Sequence, residues 1–399
     1  MNFTDKRPII EKQPYDVVVV GGGIGGVAAA VAAAREGAKT ILLEKQINLG
    51  GLGTVGLISW YEPLCDGNGK KMIAGIGEEL IKLSVKYGFD NLHENWGGQS
   101  KNLKSSSRYS TFYSPMSFSI ALDEYVRESG ADLRFDTRAT YPVMEGNTCL
   151  GIVAETVSGK EFYGAKMIID ATGDASVCYR AGMPTMDGEN VLVYVSHGFG
   201  KEQIENYDSE KDLLEFRKWN WASSRSHAEV NDGALNDSSG TTSDSVNEFI
   251  QKGKIAALEF IKSKDRESYE LMSIPTMPQF RMIRHIVGDT MLDGSENGRT
   301  DFVDSVGCFS DFRYCDTHYQ LPYSTLCNKQ FPNILAAGRI ISAHGQGWQA
   351  TRVIPVCALT GQVAGTAAAQ AIKTNTACGE IDLDVLRKTL KENNCIPEF

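Results

Sequence analysis

Two glycine-rich stretches near the start of the chain have the spacing that binds the phosphates of a dinucleotide. The stretch "GGGIGG" (21–26) reads G-x-G-x-x-G, and "GGLGTVG" (50–56) repeats that spacing from Gly51. In this motif the first glycine permits a tight turn, the second lets pyrophosphate approach the backbone, and the third lets a helix and a strand pack closely. Free N–H groups at the following helix N-terminus then face the phosphates. The pattern predicts either two dinucleotide sites or one site and a second loop.

The first motif has the flanking elements that dinucleotide binding requires. "YDVVVV" (15–20) is an apolar, β-branched run, typical of a strand buried in a parallel sheet. "VAAAVAAAREG" (27–37) has high helix propensity and ends in a glycine C-cap. "KTILLE" predicts a second strand ending at Glu44, which lies 18 residues past Gly26 and is placed to accept hydrogen bonds from ribose hydroxyls. These stretches predict a complete βαβ unit with the phosphate site at its first turn.

The second motif lacks such elements, because no strand pattern enters Gly51 and no helical pattern leaves Gly56. By itself it predicts a glycine-rich loop. However, E-x-x-x-x-x-G-G from Glu44, after D-x-x-x-x-G-x-G-x-x-G from Asp16, resembles the amino-terminal segment of FAD-dependent oxidoreductases. The relevant superfamily is the glutathione-reductase-like and fumarate-reductase-like one. The resemblance implies that both loops line one site and hold one dinucleotide.

Two later segments extend this resemblance. "KMIIDATGD" (166–174) closes a predicted hairpin and strand and resembles the segment that runs beside the dinucleotide in this superfamily. "NILAAGRIISAHGQGWQATRVIPVCALTGQVAGTAAA" (333–369) predicts a short strand ending at Gly338, a loop carrying His344 and Trp348, and a long helix from about Val353. This segment resembles the carboxyl-terminal part of a stand-alone group of FAD-dependent oxidoreductases.

The resemblance implies an α/β fold, with a Rossmann-type FAD-binding domain made of a parallel sheet, helices and a β-meander, and an inserted α+β substrate domain. FAD is expected to bind non-covalently, because "GGLGTVG" offers no His or Cys for attachment. The expected division is 10–60, 116–190 and 326–375 for the FAD-binding domain, 61–115 and 191–325 for insertions forming the substrate or cap domain, and 376–399 for a carboxyl-terminal tail. The residues expected to bind FAD are Gly21, Gly23, Ile24, Gly25, Gly26, Glu44, Lys45, Gly50, Gly51, Thr54, Ala139, Ala171, Thr172, Gly173, Asp174, Gly338, Arg339, Arg352 and Val353.

The candidate catalytic residues are His344, Arg352 and Arg284. His344 and Arg352 flank the loop that the resemblance places over the isoalloxazine edge. A histidine can exchange the proton that accompanies hydride transfer, and an arginine can hold an anionic substrate or a charged flavin. Alternatively, His344 hydrogen-bonds the backbone and Arg352 stabilises a helix start. Arg281 and Arg284 either clamp a substrate carboxylate or lie in solvent or beside the pyrophosphate.

The predicted function is FAD-dependent hydride transfer between flavin N5 and a small anionic organic substrate, with an unidentified electron donor or acceptor. One alternative is an NAD(P)H-reduced flavin monooxygenase, although the chain shows no second nucleotide fingerprint for a nicotinamide domain. Another is a non-catalytic binding protein of the same fold. That class would have lost the phosphate-binding glycines, which are all present here.

Composition excludes several other classes of function. The net charge of −10 argues against a nucleic-acid groove, and no apolar run approaches the roughly 18 residues of a membrane span. The amino terminus lacks a secretory apolar segment, so the expected location is cytoplasmic. Nine scattered cysteines without a C-x-x-C pair predict mostly buried thiols, and the histidine spacing predicts no metal site. The expected binding partners are a small-molecule substrate and, if the protein forms a homo-oligomer, a second copy of the chain.

Two segments of the second insertion have contrasting patterns. "DLLEFRKWNWASSR" (212–225) predicts a helix. Between 231 and 247, 14 of 17 residues are Ser, Thr, Asn, Asp or Gly, which predicts an exposed loop because such a segment buries little apolar area.

Overall fold

The structure of the protein is a computed structural model that describes residues 7–101, 103–205, 218–223, 238–294 and 298–396. Among these residues the helices are α1 (Ile24–Arg35), α2 (Ile76–Ser84), α3 (Leu103–Arg108), α4 (Pro115–Glu128), α5 (Ser176–Arg180), α6 (Lys201–Glu205), α7 (Ser243–Lys262), α8 (Gly345–Thr351), α9 (Ile354–Thr374) and α10 (Leu383–Glu392). The strands are β1 (Ile10–Glu11), β2 (Tyr15–Val20), β3 (Thr40–Leu43), β4 (Trp60–Tyr61), β5 (Thr111–Phe112), β6 (Asp132–Arg134), β7 (Arg138–Glu145), β8 (Thr148–Thr156), β9 (Gly159–Asp170), β10 (Thr185–Asp187), β11 (Val193–Gly200), β12 (Lys218–Ser223), β13 (Tyr269–Ser273), β14 (Arg284–Ile286), β15 (Leu292–Gly294), β16 (Gly298–Arg299), β17 (Ser305–Ser310), β18 (His318–Pro322), β19 (Ile334–Ala336) and β20 (Ala343–His344).

A parallel sheet of order β6–β3–β2–β9–β19 forms the centre of the fold. Five of the six residues of β2 and all of β3 are buried, as expected for apolar strands covered on both faces. The twelve-residue strand β9 belongs to two layers. Its carboxyl half pairs with β2 and β19, and its amino half continues into the antiparallel meander β9–β8–β7. The Rossmann-type sheet and the meander predicted from the sequence are therefore confirmed.

Helices α1 and α9 cross each other at very close range. A Cβ atom at Gly361 would lie 2.2 Å from the carbonyl oxygen of Gly25, and one at Gly365 would lie 2.3 Å from that of Ala29. Except for Ala34, the alanines and glycines of both helices are buried, because the two backbones themselves are in contact. This packing fixes the amino termini of α1 and α9 relative to each other.

The inserted segments add further layers of structure. Helix α2, from the first insertion, packs against α9 and α4. In the second insertion, β11 pairs with β12 and β13 in an antiparallel sheet, and α7 packs against β11 and β12. Beyond them, α10 buries Leu386 and Leu390 and contacts α9 and β17. The exact division of the chain into domains stays a prediction.

Three local predictions were wrong where the structure describes them. Residues 218–223 of the predicted helix form strand β12, because they pair with β11, while 212–217 and 224–225 lie outside the described residues. In the predicted loop 231–247, helix α7 begins at Ser243. Its N-cap is Thr242, whose side chain accepts from the Ser245 N–H at 3.2 Å. Residues 231–237 lie outside the described residues. The predicted loop at His344 to Trp348 is largely helix α8.

No single helix in the described part of the chain is long and apolar enough to cross a membrane. Helices α8 and α9 reach that length and composition only together, and the chain bends by 85° between them.

Candidate functional site

A cleft with about 1210 Å³ of empty space, its open mouth included, lies at the carboxyl ends of β2, β3, β9 and β19. Ligands of open parallel α/β sheets bind at this edge. The expected FAD-binding residues that line the cleft are Gly21, Gly23, Ile24, Gly25, Glu44, Lys45, Gly50, Gly51, Ala139, Ala171, Thr172, Gly173, Asp174, Gly338, Arg339 and Arg352.

The two glycine motifs meet at this cleft. Gly23 and Gly50 form a parallel β-bridge, and the Gly50 N–H donates to the Gly22 carbonyl oxygen at 2.8 Å. Gly21 has a φ of +101°, and a Cβ there would lie 2.5 Å from the Ala171 carbonyl oxygen, so the tight turn requires glycine. The second motif is therefore part of the site built by the first.

The phosphate end of the cleft fits a dinucleotide. An added Cβ at Gly23 would meet no atom within 4 Å, so the backbone of this turn faces open space. Gly23 is the N-cap of α1 without a side-chain cap, and the first turn of α1 carries no acidic residue. The N–H groups of this helix end are thus available to a pyrophosphate, which the helix dipole also favours.

Glu44 lies at the ribose end of the cleft and is 7% exposed. Its carboxylate accepts from the N–H of Gly22, and from the N–H of Gln46 at 2.7 Å. The side chain thereby holds the glycine turn in place. A carboxylate has about four acceptor positions, so lone pairs remain for ribose hydroxyls.

Three of the expected FAD-binding residues do not line the cleft. Gly26 packs against the first turn, where a Cβ would lie 1.8 Å from the carbonyl oxygen of Gly21. The Thr54 hydroxyl is buried and donates to the carbonyl oxygen of Leu49. Val353 is the N-cap of α9. Their roles in the structure are to shape the glycine loops and the helix start.

Arginines gather at the other end of the cleft, where α8 meets α9. Arg339 donates through Nε to the Gly173 carbonyl oxygen at 2.7 Å and through Nη1 to that of Phe280 at 2.6 Å. Arg352 donates through Nε to Gln349 Oε1 at 2.7 Å. Both side chains are therefore held in fixed positions.

The charges of this cluster are mutually unfavourable. Burial, reinforced by Arg313 and Arg339, lowers the pKa of Arg352 to about 10. Burial, together with Arg352 and Arg339, lowers the pKa of Arg281 to about 9. Arg313 is compensated, because it is paired with the fully buried Asp311 at 2.6 Å. A positive charge excess of this kind favours an anionic ligand.

The structure does not bring two of the predicted catalytic residues to the cleft. Arg284 lies on β14, donates through Nε to Asp187 Oδ1 at 3.0 Å and stacks 4.0 Å from the ring centroid of Tyr179. Arg284 is not among the residues that line the cleft, and its role as a catalytic residue stays a prediction. His344 is exposed at the end of β20, as the N-cap of α8.

Sequence reasoning missed a second group of lining residues. Cys357 follows Arg352 by five residues and lies in the first turn of α9, so the helix predicted from about Val353 could have indicated it. Met277 comes from a distant segment with no local signal. The full set of lining residues that were not predicted is Val20, Leu43, Gln46, Asn48, Leu52, Gly53, Thr137, Arg138, Ser176, Arg180, Met277, Ala337, Ile354 and Cys357.

One group of side chains with metal-ligand chemistry occurs among the described residues, although the sequence spacing predicted none. The ligand atoms of Asp66, Asp316 and His318 lie within 4.8 Å of one another. His318 Nε2 is 3.1 Å from Asp66 Oδ2, and Asp66 Oδ1 accepts from two backbone N–H groups. These hydrogen bonds explain the cluster without an ion.

The family model described as FAD dependent oxidoreductase matches residues 16–228 and 200–390. The digeranylgeranylglycerophospholipid reductase of Methanoculleus marisnigri is 27% identical over 198 residues, covering 44% of this chain and 43% of that protein. Digeranylgeranylglycerophospholipid reductase 2 of Methanococcoides burtonii is 31% identical over 188 residues, covering 44% of this chain and 42% of that protein. The chain therefore spans less than half the length of these curated relatives.

Among solved structures, a geranylgeranyl bacteriochlorophyll reductase-like protein from Thermoplasma acidophilum aligns over 96% of this chain and 84% of its own, with a TM-score of 0.51 and 15% identity. At 15% identity, this similarity shows a shared fold and does not show a shared function. The family match, by contrast, extends over most of the sequence and includes both glycine loops and helix α9. This chain belongs to the FAD dependent oxidoreductase family, and it is an enzyme whose cofactor is FAD.

Proposed function

We propose that the enzyme belongs to the glutathione-reductase-like and fumarate-reductase-like superfamily and transfers a hydride between flavin N5 and a small anionic organic substrate. The observation that carries this proposal is the positive charge excess at the α8–α9 end of the cleft. Arg339 and Arg352 line the cleft there, the charge of Arg339 lowers the pKa of Arg352, and among the described residues neither arginine forms an ion pair. An anion placed among them would relieve both their repulsion and the cost of their burial.

The residues of the cleft divide between two tasks in this proposal. The Gly23 turn and the amino terminus of α1 would hold the pyrophosphate, and Glu44 would accept from the ribose. Arg352, beside the amino terminus of α9, would stabilise negative charge at the flavin ring or on the substrate. Bound FAD supplies the hydride chemistry, and the protein supplies orientation and electrostatics.

Proton exchange is assigned in this proposal to His344, which is exposed and therefore accessible to solvent protons. His344 is not among the residues that line the cleft. Anion binding is assigned to Arg352, and Arg284 is left out because Asp187 already pairs with it.

Reduction of the substrate is the favoured direction of electron flow. Both curated relatives are named as reductases, and that name supports a chain that delivers electrons to an organic molecule. Because the match spans less than half of each relative, their own substrates are not assigned to this protein.

The proposal is tested by anaerobic flavin spectroscopy of the purified holoenzyme. Reduced enzyme is mixed with a panel of unsaturated organic acids, and oxidised enzyme is mixed with saturated acids, amines and alcohols. We expect an acid to change the flavin oxidation state while its uncharged amide does not. Amides that react as fast as their acids, or no acid that reacts at all, would overturn the proposal. NADPH consumption with oxygen uptake and a hydroxylated product would identify a monooxygenase instead.

A further inference from the structure

The inserted segments 61–115 and 191–325 contribute one side chain to the cleft among their described residues, and that side chain is Met277. All other lining residues come from the three pieces of the chain that were predicted to bind FAD. Because the Rossmann-type fold itself supplies the dinucleotide-binding loops, a side chain that an insertion adds to the cleft is placed to select a second ligand.

The chain on both sides of Met277 is attached to the second glycine loop. The Thr276 N–H donates to the Val55 carbonyl oxygen at 3.0 Å, and Gln279 Nε2 donates to that of Gly56 at 2.7 Å. Gln279 is buried, so solvent does not compete for its hydrogen bond. These contacts fix the backbone from which the Met277 side chain enters the cleft.

The same stretch of chain is also held at the arginine-lined end of the cleft. Arg339 lines the cleft and donates through Nη1 to the carbonyl oxygen of Phe280 at 2.6 Å, and through Nε to that of Gly173 at 2.7 Å. Residues 276–280 therefore run from the second glycine loop to Arg339, and Met277 lies between the two attachments.

Further apolar side chains line the cleft beside this stretch. The second glycine loop, to which the Met277 backbone is attached, contributes Leu52, and the start of α9 contributes Ile354. A Cβ atom at Gly53 would lie 3.2 Å from Ile354 Cδ1, so the loop and the helix start are in contact. Arg352 lines the cleft two residues before Ile354. The lining at this end therefore joins a cationic side chain to apolar ones.

We propose that Met277 is a specificity-determining residue that contacts the carbon skeleton of the substrate, so that the substrate class is organic anions with an apolar carbon chain. The inference rests on the proposed function, which assigns anion binding to Arg352, and it narrows that function. A methionine side chain is unbranched and polarisable, and it adapts to apolar groups of different shape. Met277 is half-buried, so part of its surface is left to contact a ligand.

The experiment measures how strongly the FAD-loaded enzyme binds saturated carboxylates of increasing length. Oxidised holoenzyme is titrated with acetate, butanoate, hexanoate and octanoate, and binding is read from the change in flavin absorption. In the wild type we expect affinity to rise about threefold for each added methylene group that leaves water. Met277→Ala should lower the ratio of octanoate to acetate affinity about tenfold or more, because the apolar contact is lost while the anion site remains.

A second variant and a control accompany this measurement. Met277→Gln replaces the apolar side chain by a polar one of similar size and should also lower the affinity ratio. Met272 is exposed on β13 and outside the cleft lining, so Met272→Ala should keep the ratio of the wild type. FAD content is measured for every variant, and the ratio is formed within each variant, so that partial loss of FAD does not alter it.

An unchanged affinity ratio in both Met277 variants would overturn the inference, as would a wild type that binds all four carboxylates equally or none of them. Loss of FAD with an unchanged ratio would show that Met277 packs on the cofactor, and would overturn it as well. Length-dependent binding through Met277, in an enzyme that neither reduces nor oxidises any acid, would leave this inference standing and refute the proposed function. Turnover of acids by an enzyme whose ratio does not depend on Met277 would refute this inference alone.

Discussion

Gly23 and Gly50 face each other as partners in a parallel β-bridge, although 26 residues of helix, strand and loop separate them in the chain. Beside the bridge, the Gly50 N–H donates to the carbonyl oxygen of Gly22. Two motifs with the same spacing therefore build one glycine-lined cradle, with the open space on the side of Gly23. The glycines of this cradle therefore fall into two groups: Gly23 faces open space that a ligand could fill, whereas Gly26 is needed for close packing of the backbone.

Gly23→Ala should fold normally and lose FAD. Gly23 has a φ of −67°, which alanine adopts freely, and its Cβ would enter empty space. If the pyrophosphate approaches through that space, FAD affinity should fall about tenfold or more, while the free energy of unfolding of the apoprotein should change by less than about 1 kcal/mol. Fluorescence titration with FAD and denaturant unfolding measure the two quantities. A variant that binds FAD like the wild type would show that the cradle is misassigned.

Gly26→Ala, in contrast to Gly23→Ala, should destabilise the fold itself. Its Cβ would lie 1.8 Å from the Gly21 carbonyl oxygen, so the helix and the turn would have to separate. We expect a loss of about 1–3 kcal/mol or more in the free energy of unfolding, seen in the apoprotein without any ligand. A stable Gly26→Ala apoprotein would contradict the close packing described here.

Gly361→Ala should destabilise the contact between α1 and α9. The added methyl group would lie 2.2 Å from the Gly25 carbonyl oxygen and force the two helix backbones apart. We expect a loss of about 1–3 kcal/mol in the free energy of unfolding, although alanine favours a helix over glycine by about 1 kcal/mol. The control Lys388→Ala, at an exposed position of α10, should change stability by less than about 0.5 kcal/mol. Stabilisation by Gly361→Ala would refute the contact.

Glu62→Gln should stabilise the protein at alkaline pH. Burial raises the pKa of Glu62 to about 7, while a hydrogen bond with Trp60 and the charge of Arg108 lower it. The folded state therefore holds the proton more tightly than the unfolded chain, whose pKa is near 4.5. Wild-type stability falls as pH rises from about 4.5 to 7 and stays lower above that.

The neutral amide of Glu62→Gln removes this pH dependence. The difference in free energy of unfolding between the variant and the wild type should therefore depend on pH. We expect this difference to be about 1–3 kcal/mol more favourable to the variant at pH 8 than at pH 5. Thermal unfolding at the two pH values makes the comparison. The same difference at both values would show that Glu62 ionises in the folded protein as it does in the unfolded one.

FAD should leave the protein on denaturation, although a thiol lines the cleft. Burial raises the pKa of Cys357 to about 12, so at neutral pH the thiol stays protonated and is a poor nucleophile. Acid precipitation of the holoenzyme should give a colourless pellet and a yellow supernatant, and Cys357→Ser should retain FAD. A yellow pellet that turns colourless only in the Cys357→Ser variant would demonstrate a covalent bond.

Local sequence patterns predicted the parts of the fold that local interactions determine. The βαβ unit follows from the apolar run of β2, the small residues of α1 and the glycine turn between them, all contiguous in the chain. Helix α8 escaped prediction because "GQGWQAT" has poor helix propensity. Its Trp348 is buried and donates through Nε1 to the Arg339 carbonyl oxygen at 2.7 Å, so tertiary contacts stabilise this helix.

The choice between the two arginines of the second insertion also depended on distant partners. Arg284 is paired with Asp187, which is 97 residues away, and Arg281 is positioned by Asn190, which is 91 residues away. The three-residue spacing between Arg281 and Arg284 predicts neither of these contacts. The glycine sites could therefore be predicted from sequence, whereas the arginine-lined end of the cleft required the assembled structure.

The central claim is that one dinucleotide, FAD, binds in the cleft formed by both glycine loops. Calorimetric titration of the apoprotein with FAD, NAD and FMN tests it most directly, with Gly23→Ala measured in parallel. We predict one tightly bound FAD per chain, weak or no binding of NAD and FMN, and a large loss of FAD affinity in the variant. A preference for NAD, or FAD binding that is indifferent to Gly23→Ala, would contradict the account.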